Sequence, residues 1–168
     1  SGPGKGLVMN LDLTFQTRLW LGLYETELND TLRQLCRPGT KAFDIGGQFG
    51  YDALILAKLT GAEVVTVDCE DFSIAAMKAN IALNPGMDRL VRPRQAFIAQ
   101  TSDPATKHLS IDDLAAETFT PGLIKIDIEG GEVDALHGAT AVLRDAKPDL
   151  LIEVHSRPLE NDCVSILQ

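Results

Sequence analysis

The amino-acid sequence predicts an α/β fold in which helices cover both faces of a mostly parallel sheet. From about Ala42 onward, short apolar runs typical of strands alternate with segments whose apolar residues recur at helical spacing. This alternation is the pattern of βαβ units, whose strands run parallel. The predicted strands are Ala42 to Ile45, Val64 to Val67, a weaker one over Leu90 to Arg94, Leu123 to Ile128, and Leu150 to Val154.

Three segments have the apolar periodicity of helices, and each is bounded by a residue that starts or stops a helix. The first ends at Pro38-Gly39, the second begins at a candidate cap, Asp71, and the third ends before Pro148. The second and third would be the crossovers between neighbouring parallel strands. Their apolar stripes are Leu28, Leu32 and Leu35 in the first, Phe72, Ala75, Ala76, Ala79 and Leu83 in the second, and Val133, Leu136, Thr140 and Leu143 in the third.

Length and charge exclude several classes of protein. A chain of 168 residues is long enough for one domain with its own core, and we expect a lead-in over residues 1–23 and the domain over 24–168. The net charge of −9 opposes binding to nucleic acid, which needs Lys and Arg contacts to phosphates. The three cysteines form no C-x-x-C pair, and no apolar run is long enough for a membrane helix. We therefore expect a cytoplasmic protein with no nucleic-acid or membrane partner.

A glycine-rich turn follows the first predicted strand and opens directly into a helix. The turn reads Asp44-Ile-Gly46-Gly47-Gln-Phe-Gly50, and a strand, glycine turn and helix form the nucleotide site of Rossmann-like folds. Its spacing lacks the third close-packing glycine of G-x-G-x-x-G, which argues against a nicotinamide-dependent oxidoreductase. The pattern favours a ligand without pyrophosphate, such as S-adenosylmethionine, whose ammonium group Asp44 would help to hold directly or through water.

The second predicted strand ends at Asp68, where a carboxylate can accept hydrogen bonds from both hydroxyls of a ribose. A glycine-rich turn alone is often only a turn, and an Asp at a strand end is often a helix cap. Because the strand context, the turn and the spacing agree, we predict a cofactor site from the two features together.

Polar residues occupy every second position at the ends of the last two predicted strands. Lys125, Asp127 and Glu129 would project to one side of the fourth strand, and Glu153 and His155 repeat the pattern on the fifth. Buried parallel strands are normally apolar, and ligands bind at the carboxyl edge of such sheets. Two alternatives remain open: these side chains form structural ion pairs, or Asp127, Glu153 and His155 bind a divalent metal such as magnesium or manganese.

In order along the chain, these motifs resemble the FkbM family of methyltransferases over roughly Tyr24 to His155. The most specific motif is the stretch from Lys125 to Gly130, followed by Glu132. The full set of motifs is Asp44-Ile-Gly-Gly-Gln-Phe-Gly50, Asp68 with Asn80-Ile81, Ser110-Ile-Asp-Asp-Leu114, Lys125-Ile-Asp-Ile-Glu-Gly130 with Glu132, and Leu151-Ile-Glu-Val-His155.

The resemblance implies a class I methyltransferase fold that uses S-adenosylmethionine and methylates a hydroxyl oxygen of a sugar or a small natural-product-like acceptor. It places Asp68 at the ribose, Asp127 and Glu129 at the substrate, and Glu25 near the site. The methionine end of the cofactor would contact Asp44, Gly46, Gly47 and Gly50.

Two departures from the family pattern affect these predictions. The turn has Gly47-Gln48 where the family usually has Ala-Asn, which would alter contacts to the cofactor. The family's domain usually continues past its fifth strand into a helix and an antiparallel hairpin, whereas this chain ends at Gln168. Either the chain is truncated there, with its C-terminal strands missing, or the sheet is smaller than usual.

Methyl transfer to a hydroxyl needs a base to remove the hydroxyl proton. The sequence predicts Asp127 or Glu129 in that role, with His155 as the alternative. A rival function is a non-catalytic module that keeps the fold for cofactor binding or protein contact. The sequence does not indicate an oligomeric state.

Overall fold

A computed structural model describes residues 2–12, 14, 17 and 28–168 of the chain. Five parallel strands form the main sheet in the order β3-β2-β1-β6-β7, and two short strands, β4 and β5, form a second sheet. The strands are β1 (Ala42–Ile45), β2 (Val64–Asp68), β3 (Val91–Gln95), β4 (Phe97–Ile98), β5 (His108–Leu109), β6 (Leu123–Ile126) and β7 (Asp149–Ile152). The helices are α1 (Asn29–Leu35), α2 (Tyr51–Thr60), α3 (Asp71–Ala82), α4 (Ile111–Glu117), α5 (Glu132–His137), α6 (Thr140–Asp145) and α7 (Arg157–Leu167).

Helices cover both faces of the main sheet, which confirms the predicted fold class. Alternate residues of a strand point to opposite faces. Accordingly, Phe43 and Ile45 of β1 pack in the same cluster as buried residues of α4 to α7. Ala42 packs in the other cluster, with α1, α2 and α3. No helix in the described ranges is long and apolar enough to cross a membrane.

The predicted apolar stripe of α3 is wrong, although the helix itself is confirmed. Phe72 is 72% exposed, and the buried apolar residues of α3 are Ile74, Met77 and Ile81. The predicted stripe depended on small alanines, which fit either face of a helix. The buried face of α3 is the one that contains Met77, which lies against Gly50 in the glycine turn. Glu70 occupies the cap position, one residue before the predicted cap at Asp71.

The third predicted helix is broken in two at Gly138 and Ala139, between α5 and α6. The chain passes so close to the neighbouring segment that a Cβ on Gly138 would lie 2.4 Å from the carbonyl oxygen of Ala99. A new helix then begins, because the carboxylate of Asp112 accepts hydrogen bonds from the backbone of Ala141 and Val142 at 2.9 and 2.8 Å.

The strands β6 and β7 end earlier than the sequence predicts, at Ile126 and Ile152. After β6 the chain turns at Gly130, whose φ of 78° lies in the left-handed region. The four polar residues Asp127, Glu129, Glu153 and His155 therefore follow the strands and do not project from one face of them. They lie at the carboxyl edge of the sheet, where the sequence predicts a ligand site.

Residues 2–12 lie against the domain, held through their backbone. Asn84 of the turn after α3 bonds to both the N–H and the C=O of Val8, and Asn80 accepts from the N–H of Asn10. The ammonium group of Lys58 donates to backbone carbonyls of residues 3 and 5. The proposed boundary between residues 23 and 24 lies outside the described residues, as does Glu25.

Candidate active site

A row of buried polar side chains crosses three strands beneath the carboxyl edge of the sheet. Asp44 of β1 is in register with Thr66 of β2 on one side and Lys125 of β6 on the other. The Thr66 hydroxyl donates to Oδ2 of Asp44 at 2.8 Å, whereas Oδ1 of this fully buried carboxylate has no hydrogen-bond partner among the described residues. Burial raises the pKa of Asp44 to about 6. The site thus contains a buried acceptor atom that no described group satisfies.

Lys125 is a buried cation surrounded by carboxylates. Its ammonium nitrogen lies 2.9 Å from Oδ2 of Asp52 in α2 and 3.3 Å from Oδ2 of Asp127. Burial alone would lower the pKa of Lys125, but the carboxylates of Asp52, Asp44 and Asp127 raise it instead. Lys125 therefore stays charged and joins the end of β6 to the first turn of α2. This agrees with the structural ion pair that the sequence left open for Lys125 and Asp127.

The glycine turn packs too closely for side chains. Gly46 has a φ of 90°, and a Cβ there would lie 1.8 Å from the carbonyl oxygen of Asp127. A Cβ on Gly47 would lie 1.9 Å from the Thr66 hydroxyl. Gly50, with a φ of 79°, begins α2 and lies against Met77. The three glycines thus let the turn sit directly on the carboxyl edge of the sheet.

Asp68 at the end of β2 is held by the backbone on both sides. Its Oδ2 accepts from the N–H of Gln48 at 3.0 Å, and its Oδ1 accepts from the N–H of Glu70 at 2.9 Å. Each carboxylate oxygen keeps a second lone pair for a ligand. The carboxylate is therefore fixed in position before any ligand arrives, and it can still accept hydrogen bonds from hydroxyl groups.

One cavity of about 530 Å³ joins most of the predicted site residues, a volume within the range of small-molecule sites. Apolar side chains of Ala96, Phe97 and Ile98 form part of its wall beside Asp68. This part could not be predicted from the sequence, because β4 has two residues and no periodicity. The predicted residues that line the cavity are Gly46, Asp68, Asp127, Glu129, Glu153 and His155.

The predicted residues that do not line this cavity lie beside or beneath it. Gly47 lines a small adjoining recess together with Asp52, and Asp44 lies in the buried row under the turn. Gly50 lines neither space, because it packs against α3.

His155 is hydrogen-bonded at one ring nitrogen and has a longer ion-pair contact at the other. Its Nδ1 lies 2.8 Å from Oε1 of the fully buried Glu132, and its Nε2 lies 3.6 Å from Oδ1 of Asp127. The hydrogen bond to Glu132 raises the pKa of His155. From the sequence, Glu132 is recognisable only as part of a motif, with no position in the site.

The structure also brings together the residues of the metal alternative. Ligand atoms of Asp127, Glu153 and His155 all lie within 4.8 Å of one another. Binding of magnesium or manganese there stays a prediction, since one oxygen of Asp127 is shared with Lys125 and the other two side chains are exposed.

A comparison with family models matches residues 75–168, more than half of the chain, to the methyltransferase FkbM domain. The chain belongs to this family. The matched region includes most of α3, the main-sheet strands β3, β6 and β7, and the polar residues Asp127 to His155. A comparison with curated proteins finds no match.

Solved structures of methyltransferases share the fold of this FkbM-family chain. The chain superimposes on the methyltransferase FkbM from Methylobacillus flagellatus with a TM-score of 0.66 and 19% identity, over 95% of this chain and 49% of that one. The precorrin-6y C5,15-methyltransferase from Geobacter metallireducens gives 0.61 and 12%, over 85% and 69%. The chain therefore spans about half the length of the FkbM structure.

A third structure with this fold is a protein-L-isoaspartate O-methyltransferase from Plasmodium falciparum in complex with S-adenosylhomocysteine. It gives a TM-score of 0.55 and 14% identity, over 76% of this chain and 57% of that one. Family and fold together imply S-adenosylmethionine as the methyl donor. The residues of this chain fit that molecule, because the unsatisfied Oδ1 of Asp44 suits an ammonium group and the Asp68 carboxylate suits a ribose.

Proposed function

We propose that this domain transfers a methyl group from S-adenosylmethionine to a hydroxyl oxygen of a sugar or a small natural-product-like acceptor. The observation that carries the proposal is the single cavity that joins two sets of residues. Gly46 and Asp68 represent the cofactor set, and Asp127, Glu129 and His155 the catalytic set. A donor and an acceptor held in one cavity meet at high effective concentration, which lowers the barrier to transfer by several kcal/mol or more.

The first half of the cavity has the groups that would hold the donor. Asp68 would accept hydrogen bonds from the ribose hydroxyls, and Phe97 and Ile98 would contact the adenine. The glycines at 46 and 47 let the backbone approach the methionine end, where Asp44 would complement the ammonium charge. S-adenosylmethionine supplies a methyl group on a sulfonium, which is already activated for transfer.

The second half of the cavity has the groups that would act on the acceptor. The acceptor oxygen forms a bond to the methyl carbon, the carbon–sulfur bond breaks with its electrons going to sulfur, and the hydroxyl proton passes to a base. Asp127, Glu129 and His155 are the candidate bases at this edge of the cavity. One oxygen of Asp127 is already paired with the ammonium group of Lys125. This favours a base whose proton-accepting atom has no such ion pair.

Titration calorimetry with S-adenosylhomocysteine tests the donor half of the proposal. We expect the parent protein to bind and Asp68→Ala to bind at least tenfold more weakly, a loss of about 1.4 kcal/mol. The matched control is Asp88→Ala, since Asp88 is an exposed carboxylate in the turn after α3 and lies outside the cavity. Equal binding by the parent and Asp68→Ala would contradict the assigned ribose site.

The acceptor half is tested by incubating the protein with radiolabelled S-adenosylmethionine and a panel of hydroxylated sugars and small natural products. The expected product carries the label as a methyl ether, identified by mass spectrometry. Binding of S-adenosylhomocysteine without transfer to any acceptor of the panel would instead favour the non-catalytic module. Label on nitrogen or carbon would contradict the hydroxyl acceptor and leave the donor assignment standing.

A further inference from the structure

Glu132, the first residue of α5, is fully buried and yet is a carboxylic acid. Its Oε1 lies 2.8 Å from Nδ1 of His155, and its Oε2 has no partner in the described part of the chain. No Lys or Arg of the described residues forms an ion pair with it. Burying a carboxylate costs several kcal/mol unless it is paired or hydrogen-bonded. The contact with His155 therefore offsets the cost of burying the Glu132 carboxylate.

The contact with Glu132 fixes which nitrogen of the imidazole is free. A carboxylate only accepts hydrogen bonds, so Nδ1 of His155 must carry the proton in the contact. In the neutral ring, Nε2 is then the unprotonated nitrogen with an available lone pair. This nitrogen lies toward Asp127, at 3.6 Å, and His155 lines the cavity. The distance is longer than a hydrogen bond, so Asp127 makes only an ion-pair contact with Nε2, and no residue of the described ranges is hydrogen-bonded to this nitrogen.

We propose that Glu132 is a positioning residue that holds His155 with Nε2 facing the acceptor, so that Nε2 removes the hydroxyl proton during methyl transfer. The inference rests on the proposed function and adds the identity of the base. The proton passes from the acceptor oxygen to Nε2 and is released to water after the methylated product leaves. Glu132 does not itself take up the proton, since it touches neither the donor nor the acceptor.

The competing bases at the site are placed less well than His155. Asp127 shares its Oδ2 with the ammonium group of Lys125, so this oxygen is already engaged and turned toward α2. Glu129 is exposed, and no described residue forms a hydrogen bond or an ion pair with its carboxylate to hold it in one orientation. A base contributes most when it is held within hydrogen-bond reach of the proton that it removes.

Several charged groups face His155 from the elements around it. They are Glu132 from α5, Asp127 after β6 and Glu153 after β7, and all three raise the pKa of the imidazole. The buried thiol of Cys163 in α7 lies near Glu132. Burial is the main cause that raises the pKa of this thiol, and the charge of Glu132 is the second. The hydrogen bond that His155 donates to Glu132 has the largest effect on the pKa of His155.

Nuclear magnetic resonance of nitrogen-labelled protein tests the pair without any donor or acceptor. In the parent we expect the neutral ring of His155 to carry its proton on Nδ1. In Glu132→Gln the amide can still accept from Nδ1 but has no charge, so the pKa of His155 should fall by about one unit. The control is Glu160→Gln, an exposed position of α7. A neutral ring with its proton on Nε2 in the parent would overturn the proposal, even if the Gln variant does not fold.

Kinetics then test the role in catalysis. We expect Glu132→Gln to lower kcat by about 10- to 100-fold, to leave the affinity for S-adenosylhomocysteine unchanged, and to move the acidic limb of kcat/KM to lower pH. His155→Gln should remove that limb and lower kcat by about 100-fold or more. A merely structural role for Glu132 would leave the pH at which the limb falls unchanged, and that result would overturn the proposal.

Failure of this inference is distinguishable from failure of the proposed function. If the parent methylates a hydroxyl and Glu132→Gln keeps the parent's pH dependence, only the inference fails. If the parent transfers no methyl group, the proposed function fails and the inference fails with it, whatever the resonance data show. Activity that a chelator abolishes and manganese restores would also overturn the inference, because Nε2 would then be a metal ligand.

Discussion

The two halves of the cavity are built in different ways. The donor half lies at the ends of β1 and β2 and consists of backbone and of side chains that the fold holds in place. Gly46 lies against the backbone of Asp127, just after β6, and Asp68 accepts two backbone hydrogen bonds. The acceptor half, after β6 and β7, is made of partly or fully exposed side chains, and a buried carboxylate holds one of them, His155. Backbone changes in the donor half should therefore cost more stability than changes in the acceptor half, which should mainly alter the chemistry.

The largest expected effect comes from a substitution that forces the halves apart. Gly46→Ala would place a Cβ at 1.8 Å from a backbone oxygen of Asp127, so we expect a loss of about 4 kcal/mol or more in the free energy of unfolding. The control is Gly86→Ala, with a nearly equal φ of 85° and nothing within 4 Å of the new Cβ. It should cost only about 1–2 kcal/mol, the penalty for a left-handed residue. Equal losses in urea titrations would show that the close contact does not matter.

A somewhat smaller effect should follow from removing the cation beneath both halves. Lys125→Met leaves the carboxylates of Asp52 and Asp127 without their counter-ion, and we expect a loss of about 3 kcal/mol. The matched control is Lys41→Met, which breaks an exposed pair with Glu63 at 2.7 Å and should cost less than about 1 kcal/mol. Chemical denaturation measures both. A loss no larger than the control's would mean that Lys125 does not hold the halves together.

A further expected effect, which appears only as the pH changes, is a pH dependence of stability at Asp44. Burial raises its pKa to about 6 from an ordinary value of 3.8, so across that range the native protein binds a proton that the unfolded chain has released. The contribution of Asp44 to stability should therefore fall as the pH rises from about 4 to about 6, and stay constant above. Relative to Asp44→Asn, the parent should lose stability across that window, as measured by urea titrations at a series of pH values.

Asp113 provides a comparison of opposite sign for this experiment. Hydrogen bonds from Ser102 and Ser110 lower the pKa of its exposed carboxyl. Relative to Asp113→Asn, the parent should lose stability as the pH falls through the acid range. The same trend for both variants would show that the Asp44 carboxyl is not destabilised by burial.

The donor half was the easier part to predict from sequence, for physical reasons. A parallel strand followed by glycines and a helix imposes a local geometry, so Gly46 and Asp68 could be placed from their spacing alone. The family resemblance and the fold class were also confirmed. The roles of the individual site residues stay predictions.

The missed features all depend on contacts between distant parts of the chain. Glu132 meets His155 only when α5 folds back over the end of β7, and Asp44 meets Lys125 only through the register of β1 and β6. The break at Gly138 depends on the backbone of Ala99, which is far away in sequence. The exposed Phe72 shows the same limit, because periodicity shows that a segment is helical but not which of two similar faces is buried.

The N-terminal segment is held through its main chain at two points, and the side chain of Leu7 packs against the core. Asn84 and Asn80 bond to backbone atoms of Val8 and Asn10, as a neighbouring strand would. Such contacts specify an extended path but tolerate many sequences along it, apart from proline at the two positions that donate N–H groups. Related chains are therefore free to diverge along this segment while keeping its course, so long as the two asparagines that hold it remain.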